Sequence, residues 1–383
     1  MRQIHSGLRY CDYPNSVHFS NVPALVRVYW TTDDGVTFIP ETVTIQLSDP
    51  DGRTYTEFRN VYNLEVVFDI RRFMQTAFAE LDIDAVNYNG GMWVVNPNFR
   101  TISAVVTYTD TDNNNATIVV ASFSVDTVFG NIERGESTGG NIRRRWFVNY
   151  PFTLDFYCRR GEMFDLVVDG VQRPGVNFPN NVTPENLPTA SGYVRRLLNV
   201  KELIDPFTID KNFRLTQPFG YVTKNDVESA GIVTYDVDVD RTTADCKKGV
   251  YLRWIDNQGQ FCYWLFKDLG TSDAVASSSF VSADIINPVI YTSGKNRGTE
   301  VRQSFSRTKT RTLGAKSVDR ETFDFLLTLA SSPFVDIFDG YDDNDVPQWH
   351  AVNVSAATIG KSTKPRQDFT IAVVEPSQLT QSL

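Results

Sequence analysis

The stretch from Tyr251 to Phe266, Tyr-Leu-Arg-Trp-Ile-Asp-Asn-Gln-Gly-Gln-Phe-Cys-Tyr-Trp-Leu-Phe, constrains the fold more than any other part of the chain. It reads as two short strands joined at Asp256-Asn257-Gln258-Gly259. Aromatic and branched residues suit a pleated, half-buried surface, and Asp, Asn and Gly supply the backbone a hairpin turn needs. Tyr251, Trp254, Phe261, Trp264 and Phe266 crowd around this turn, so the hairpin should anchor a core. It carries no catalytic motif.

The surrounding composition leans the same way. Among 383 residues there are 26 Phe and 16 Tyr against 4 Met, and helical periodicity surfaces only two or three times. A chain of this length holds two or three ordinary domains. We therefore expect a mainly β protein with a few helices (a β-rich α+β chain), multidomain and built from β-sandwich-like modules.

From Val17 to Val128 short strands alternate with turns such as Asp33-Asp34-Gly35 and Asp49-Pro50-Asp51-Gly52. That is sandwich or barrel patterning, and we assign 1–130 to an N-terminal sandwich-like domain. One helix should cover it: Ile70, Phe73, Met74, Ala77, Phe78 and Leu81 form an apolar stripe, with Asp69 as cap. The glycine-rich, charged segment 131–145, including Arg143-Arg144-Arg145, reads as a solvated linker. A middle β domain, 146–246, should contain a long Pro- and Asn-rich loop from Arg173 to Gly192 and a helical turn from Leu197 to Ile204. The C-terminal β domain, 247–383, holds the aromatic hairpin and a small-residue loop from Gly270 to Ser279. Its amphipathic helix is capped by Ser317 and striped by Phe323, Leu326, Leu327 and Ala330.

Several chemistries find no foothold. His5, His18 and His350 lie in separate contexts without a helical partner at i+4, and Walker, Gly-x-Ser-x-Gly and Gly-x-Gly-x-x-Gly motifs are missing. Cys11, Cys158, Cys246 and Cys262 form no Cys-x-x-Cys pair and read as reduced thiols. The acidic run Asp339 to Asp345 departs from the calcium-loop pattern, with Gly at the second position and His350 at the twelfth. Asp236, Asp238 and Asp240 share one face of a strand, which reads as a solvated face and not a calcium cage. A glycosidase carboxylate pair stays open, because spacing in sequence does not set spacing in space. We expect no metal, no organic cofactor and no enzyme activity. A net charge of −9 speaks against a dedicated nucleic-acid binder. No run approaches the ~20 apolar residues of a membrane span, and the N-terminus has no apolar signal core. Synthesis in the cytoplasm without export by the usual route is the expectation.

Gly249 to Asp256 with Gly259 to Phe266, following Cys246, resembles a block recurring in tail and baseplate structural proteins of phages and prophages of gut Bacteroidetes. Phe68 to Phe73 leading to Ala77-Phe78, Tyr150 to Leu154, Leu329 to Pro333 and Trp349 to Val354 resemble further blocks of that family, in order along the chain. The resemblance implies a virion component of the tail or its tip, made in the host cytoplasm, whose partners are copies of itself and other tail proteins. It supplies no catalytic residues. The rival reading is a glycan-binding or glycan-cleaving β-sandwich protein, which exposed tryptophans beside carboxylates would favour. For subunit contacts the candidates are basic Arg307, Lys309 and Arg311 and acidic Asp236, Asp238 and Asp240. These meet either across a sheet within one fold or between neighbours in a homo-oligomeric ring.

Overall fold

The computed structural model describes residues 2–382 apart from 7–8, 15–16, 32–38, 80, 113, 133–138, 159–161, 179–193, 208–210, 218–220, 223–226, 229–231, 242–248, 278–279, 283–299, 303, 356–358 and 377. The chain is mostly β, with multiple sandwich-like sheets. It divides into two compact units, residues 1–244 with 256–261, and residues 245–255 with 262–383. The turn of the aromatic hairpin is thus counted with the first unit and its strands with the second.

The first unit opens with β1 (Arg2–Ser6), β2 (Arg9–Tyr13), β3 (Val17–Phe19), β4 (Leu25–Trp30), β5 (Thr42–Ser48), β6 (Thr54–Asn60) and β7 (Glu65–Asp69). Helix α1 (Arg71–Thr76), β8 (Trp93–Val95), β9 (Phe99–Asp110) and β10 (Ala116–Val128) follow. A four-stranded sheet in the order β1-β2-β4-β7 packs on a five-stranded sheet in the order β3-β10-β9-β5-β6. Alternate residues of both, such as Val26, Val28 and Phe68 against Ile45, Ala104 and Val106, meet in one apolar core. Period-two alternation puts those side chains on one face of each strand. The apolar stripe from Ile70 to Leu81 is buried as expected, but the helix itself stops at Thr76, and three-residue turns carry the chain on. Asp69 accepts the Arg71 amide at 3.0 Å, so it sits just ahead of the helix.

The rest of the unit comprises β11 (Gly140–Phe147), β12 (Thr153–Cys158), β13 (Met163–Val168), β14 (Val171–Gln172), β15 (Val176–Asn177), β16 (Val194–Asn199) and α2 (Val200–Phe207). It is completed by β17 (Phe213–Gln217), β18 (Tyr221–Val222), β19 (Val227–Glu228) and β20 (Val233–Asp240). One sheet runs β11-β20-β17-β13-β14, with β15 also on β13; the other runs β12-β16-β8. Between them Phe156 packs edge-on against both Phe164 and Tyr235 at 5.0 Å, and Trp93 lies 5.3 Å from Phe178.

Three expectations change here. Residues 140–145 are not linker: they belong to β11, which pairs in parallel with β20 from Gly140↔Val233 to Phe147↔Asp240. The boundary near residue 130 is also crossed, because β8 pairs with β16 through Trp93↔Leu198 and Val95↔Arg196. Pairing between strands so distant in sequence has no local signature. Leu197 lies on β16, and the helix starts only at Val200. Most of the expected loop, 179–193, lies outside the described residues.

The second unit contains β21 (Gly249–Ile255), β22 (Phe261–Ser277), β23 (Phe280–Ser282), β24 (Glu300–Arg302) and β25 (Ser304–Asp319). Helix α3 (Arg320–Leu327), β26 (Val335–Tyr341), β27 (Pro347–Ala351), β28 (Asn353–Val354), β29 (Arg366–Val374) and β30 (Gln378–Ser382) complete it. The large sheet runs β27-β26-β21-β22-β25-β29-β28, with β30 also on β25. The expected small-residue loop from Gly270 is mostly strand: β22 passes a bulge between Asp268 and Gly270 and pairs with β25 as far as Ser277↔Phe305. The cap of α3 is Asp319, which accepts the Thr322 amide at 2.8 Å, and not Ser317. Ser317 lies in a bulge of β25 with φ of 51° and donates its amide to Asp368.

The hairpin strands are buried more completely than a half-buried surface requires. Trp254 is 0% exposed, packs 5.2 Å from Phe325 of α3, and donates its indole N–H to Thr328 Oγ1 at 2.9 Å. Side chains of the opposite parity, Tyr251 and Tyr263, stack at 6.0 Å, and Tyr251 lies 6.1 Å from Trp349. On that face the buried Arg253 holds Asp336 at 2.7 Å and lies 4.3 Å over the Trp349 ring. Trp264 and Phe266 are buried too, Phe266 being 6.2 Å from Phe369. Truncating a buried Trp typically costs ~3–5 kcal/mol. Trp254→Ala should lower the stability of the second unit by about that much in denaturant unfolding, and wild-type stability in that variant would contradict a core role.

Candidate functional site

The acidic residues singled out from the sequence lie on the solvent side of β20. There they face cations of the strands beside them: Arg214 on β17 grips Asp236 with Nε at 2.6 Å and Nη2 at 3.1 Å. Arg143 on β11 holds Asp238 at 2.7 Å, and Arg145 lies 3.9 Å from Asp240. Asn212 accepts the Val239 amide at 2.8 Å. Arg143, Asn212, Arg214, Asp236 and Asp238, together with Asp169, line an open groove of about 520 Å³. Each of the three β20 carboxylates thus lies beside a guanidinium group, and Asp169 pairs with Lys211 at 2.7 Å.

The basic residues lie on β25, in the other unit, and are matched in the same way. Arg307 reaches Asp273 on β22 at 2.6 Å; Lys309 and Arg311 share Glu375 at 2.8 and 3.0 Å. The Arg307 hydrogen bond holds the Asp273 carboxyl below its usual range. Neither set therefore stands as an unmatched patch, and a contact between copies through them would have to exchange these pairs. Reversing all three cations to Glu would set acid against Asp273 and Glu375, so that variant should perturb the second unit itself as well as any assembly.

A second cluster, inside the first unit, was not singled out from the sequence. The Asp155 carboxylate on β12 accepts the Phe261 amide at 2.9 Å and Asn96 Nδ2 at 2.5 Å. Arg195 on β16 lies 3.2 Å away with its side chain 0% exposed, and 5.4 Å from the centre of the Tyr157 ring. The hairpin turn rests among these groups. Asp256 Oδ1 accepts the amides of Gln258 and Gln260, Asn98 donates to the Gly259 carbonyl, and Arg144 donates to Gln260 Oε1 at 2.9 Å. Phe261, the last of the expected anchors, is buried here. The available signal was a carboxylate between Leu154 and Phe156 and a guanidinium in Val194 to Leu198, each inside an apolar strand; buried charges need partners.

In this cluster buried charges and amides answer one another. Burial pushes the Asp155 carboxyl up to about 6, against the pull of Arg195 and the Phe261 amide. Burial likewise raises the Tyr157 phenol to about 12 and pushes the Cys158 thiol well up. Among the described residues no group of three or more His, Cys, Asp and Glu is placed to hold a metal ion. His350 instead meets Asp339 at 2.6 Å, and Asp342 closes the acidic turn by accepting the amides of Asn344 and Val346. His18 is buried beside the Val22 carbonyl.

Two outcomes follow from the cluster. A carboxyl whose folded pKa exceeds its unfolded value of ~3.9 contributes stability that is complete below that value and lost as pH rises through the folded pKa. The stability of wild type relative to Asp155→Asn should therefore fall by ~1–3 kcal/mol between pH 4 and 7, as read in paired thermal unfolding series. A flat difference would place the Asp155 pKa at its ordinary value. Gly259 has φ of 72°, and a Cβ there would lie 2.0 Å from the Phe129 carbonyl oxygen. Gly259→Ala should cost more than ~1 kcal/mol in the first unit.

No protein-family model matches the chain, and no curated protein does. Among solved structures, fibronectin(III)-like modules of CbhA from Clostridium thermocellum are 9% identical, with 60% of this chain and 94% of that chain covered and a TM-score of 0.17. The native conformation of E. coli alpha-2-macroglobulin is 7% identical, with 98% of this chain and 20% of that chain covered and a TM-score of 0.19. This chain spans about a fifth of the macroglobulin's length. Likenesses this weak say nothing of what the chain does.

Proposed function

We propose that the chain is a structural virion protein of a phage or phage-like tail or baseplate, made in the host cytoplasm and acting through contacts between subunits. The observation supporting this reading is where the blocks resembling tail proteins fall. Phe68 and Ile70 are buried at the junction of β7 and α1, Phe152 is buried ahead of β12, and the hairpin anchors are buried throughout. Trp349 caps the hairpin face above Arg253. The blocks thus coincide with the joints of a β scaffold, which is where a protein working through shape needs specific side chains.

The glycan reading asked for exposed tryptophans beside carboxylates. Trp30, Trp93, Trp146, Trp254 and Trp264 are buried, and Trp349 is half-buried. The feature that would have favoured a sugar platform is not met.

The test is the protein content of particles from cells that make this chain. Peptides of the chain should occur in a fixed ratio to the other tail components, and antibody labelling should mark the tail. Complete tailed particles without the chain would refute the reading.

A further inference from the structure

Among the described residues one broad sheet surface differs from the others. The four-stranded sheet of the first unit carries Arg27–Glu65 on its solvent side, the β20 sheet Arg143–Asp238 and Arg214–Asp236, and the β25 sheet Arg307–Asp273. The solvent side of β6-β5-β9-β10 carries no charge over three successive rows. The first row runs Phe58, Thr44, Thr107, Val119 across the four strands. The next two, from Thr56 to Ser122 and from Thr54 to Ser124, consist of Ser, Thr, Gln and Val. In a chain with 22% charged residues and a net charge of −9, two copies brought together on this surface would not set like charge against like. Centres of protein interfaces are depleted of charge in the same way.

The row from Phe58 to Val119 is also self-complementary. Phe58 is 75% exposed at one edge and Val119 is 55% exposed at the other, three strand spacings or ~14 Å away. A two-fold axis running along the strands between β5 and β9 keeps every residue in its row and exchanges the edges. It lays β6 of one copy over β10 of the other, so Phe58 meets Val119 twice, with Thr44 and Thr107 between them. Sheets packed face to face in aligned sandwiches stand ~10 Å apart, a distance that Phe and Thr side chains span.

We propose that this uncharged sheet face is a homodimer interface, with a second copy of this chain as its partner and Phe58 seated on Val119 across a two-fold axis. This deepens the assembly reading, and it rests on that reading in taking copies of the chain as partners. Ion pairs on the other faces then remain as each copy makes them.

Sedimentation of the full chain over a range of concentrations tests the proposal. Wild type should dimerise reversibly, and Phe58→Asp should weaken the dimer at least ~10-fold, as expected of an aromatic contact at an interface, with the thermal midpoint at concentrations where both are monomeric unchanged. Position is tested by bridging, in a background with Cys246→Ser; Cys11, Cys158 and Cys262 are buried. Phe58→Cys mixed with Val119→Cys should be bridged between copies by a short bis-maleimide, and neither variant alone should be bridged comparably. A monomer at all concentrations, a dimer indifferent to Phe58→Asp, or bridging of position 58 to itself would overturn the interface. If the chain is nevertheless found in tails, the assembly reading stands and this face falls. If the dimer forms as described and tails lack the chain, the interface stands and the tail reading falls.

Discussion

A charge removed from water needs its partner beside it, and in this protein the hairpin region is built around that requirement. Asp155 takes the Phe261 amide, the Asn96 amide and the Arg195 guanidinium at once. Arg253 and Asp336 do the same within the second unit, under the Trp349 ring. Breaking such a pair from one side leaves an uncompensated buried charge, which typically costs ~3–5 kcal/mol. Aromatic packing alone would tolerate small shifts of the strands; the charge pairs admit few alternative positions. The sheet around Trp254 and the turn around Gly259 inherit that precision.

Exposed charges follow a different economy. The carboxylates of β20 and the cations of β25 are satisfied across neighbouring strands of their own sheets, so their net field is small. Exposed ion pairs add little to stability. Among the described residues their placement instead divides the sheet surfaces into faces that hold hydrated charge and one, from Phe58 to Val119, that does not. Desolvating Ser, Thr and Val is cheaper than desolvating an ion pair, so an uncharged face suits contact with another copy. In the proposed tail component that separation gives each copy one surface for pairing and leaves the charged ones wet.

Much of the local structure was legible. The Asp-Asn-Gln-Gly turn, the alternation along β20 and the buried stripe from Ile70 to Leu81 depend on neighbours within a few residues, and each is where the periodicity puts it. Errors arose where a second strand or a bulge intervenes. Ser317 has the right chemistry for a cap, but the bulge in β25 moves the cap to Asp319. Gly270 to Ser277 has loop composition, yet pairing with β25 keeps it extended. Arg143 to Arg145 look solvated in isolation and become strand because β20 offers a free edge.

By itself the sequence determined a β-rich chain, its hairpin and the side chains that fill its cores, because burial periodicity and turn chemistry are properties of consecutive residues. The tertiary structure alone decided which strands pair, as in β8 with β16 and β11 with β20, and which charge answers which. Backbone hydrogen bonds between strands are the same for every residue but proline, so they encode no partner. Partners are chosen by the burial of all strands together. Asp236 faces Arg214, and not a basic residue of β25, for that reason.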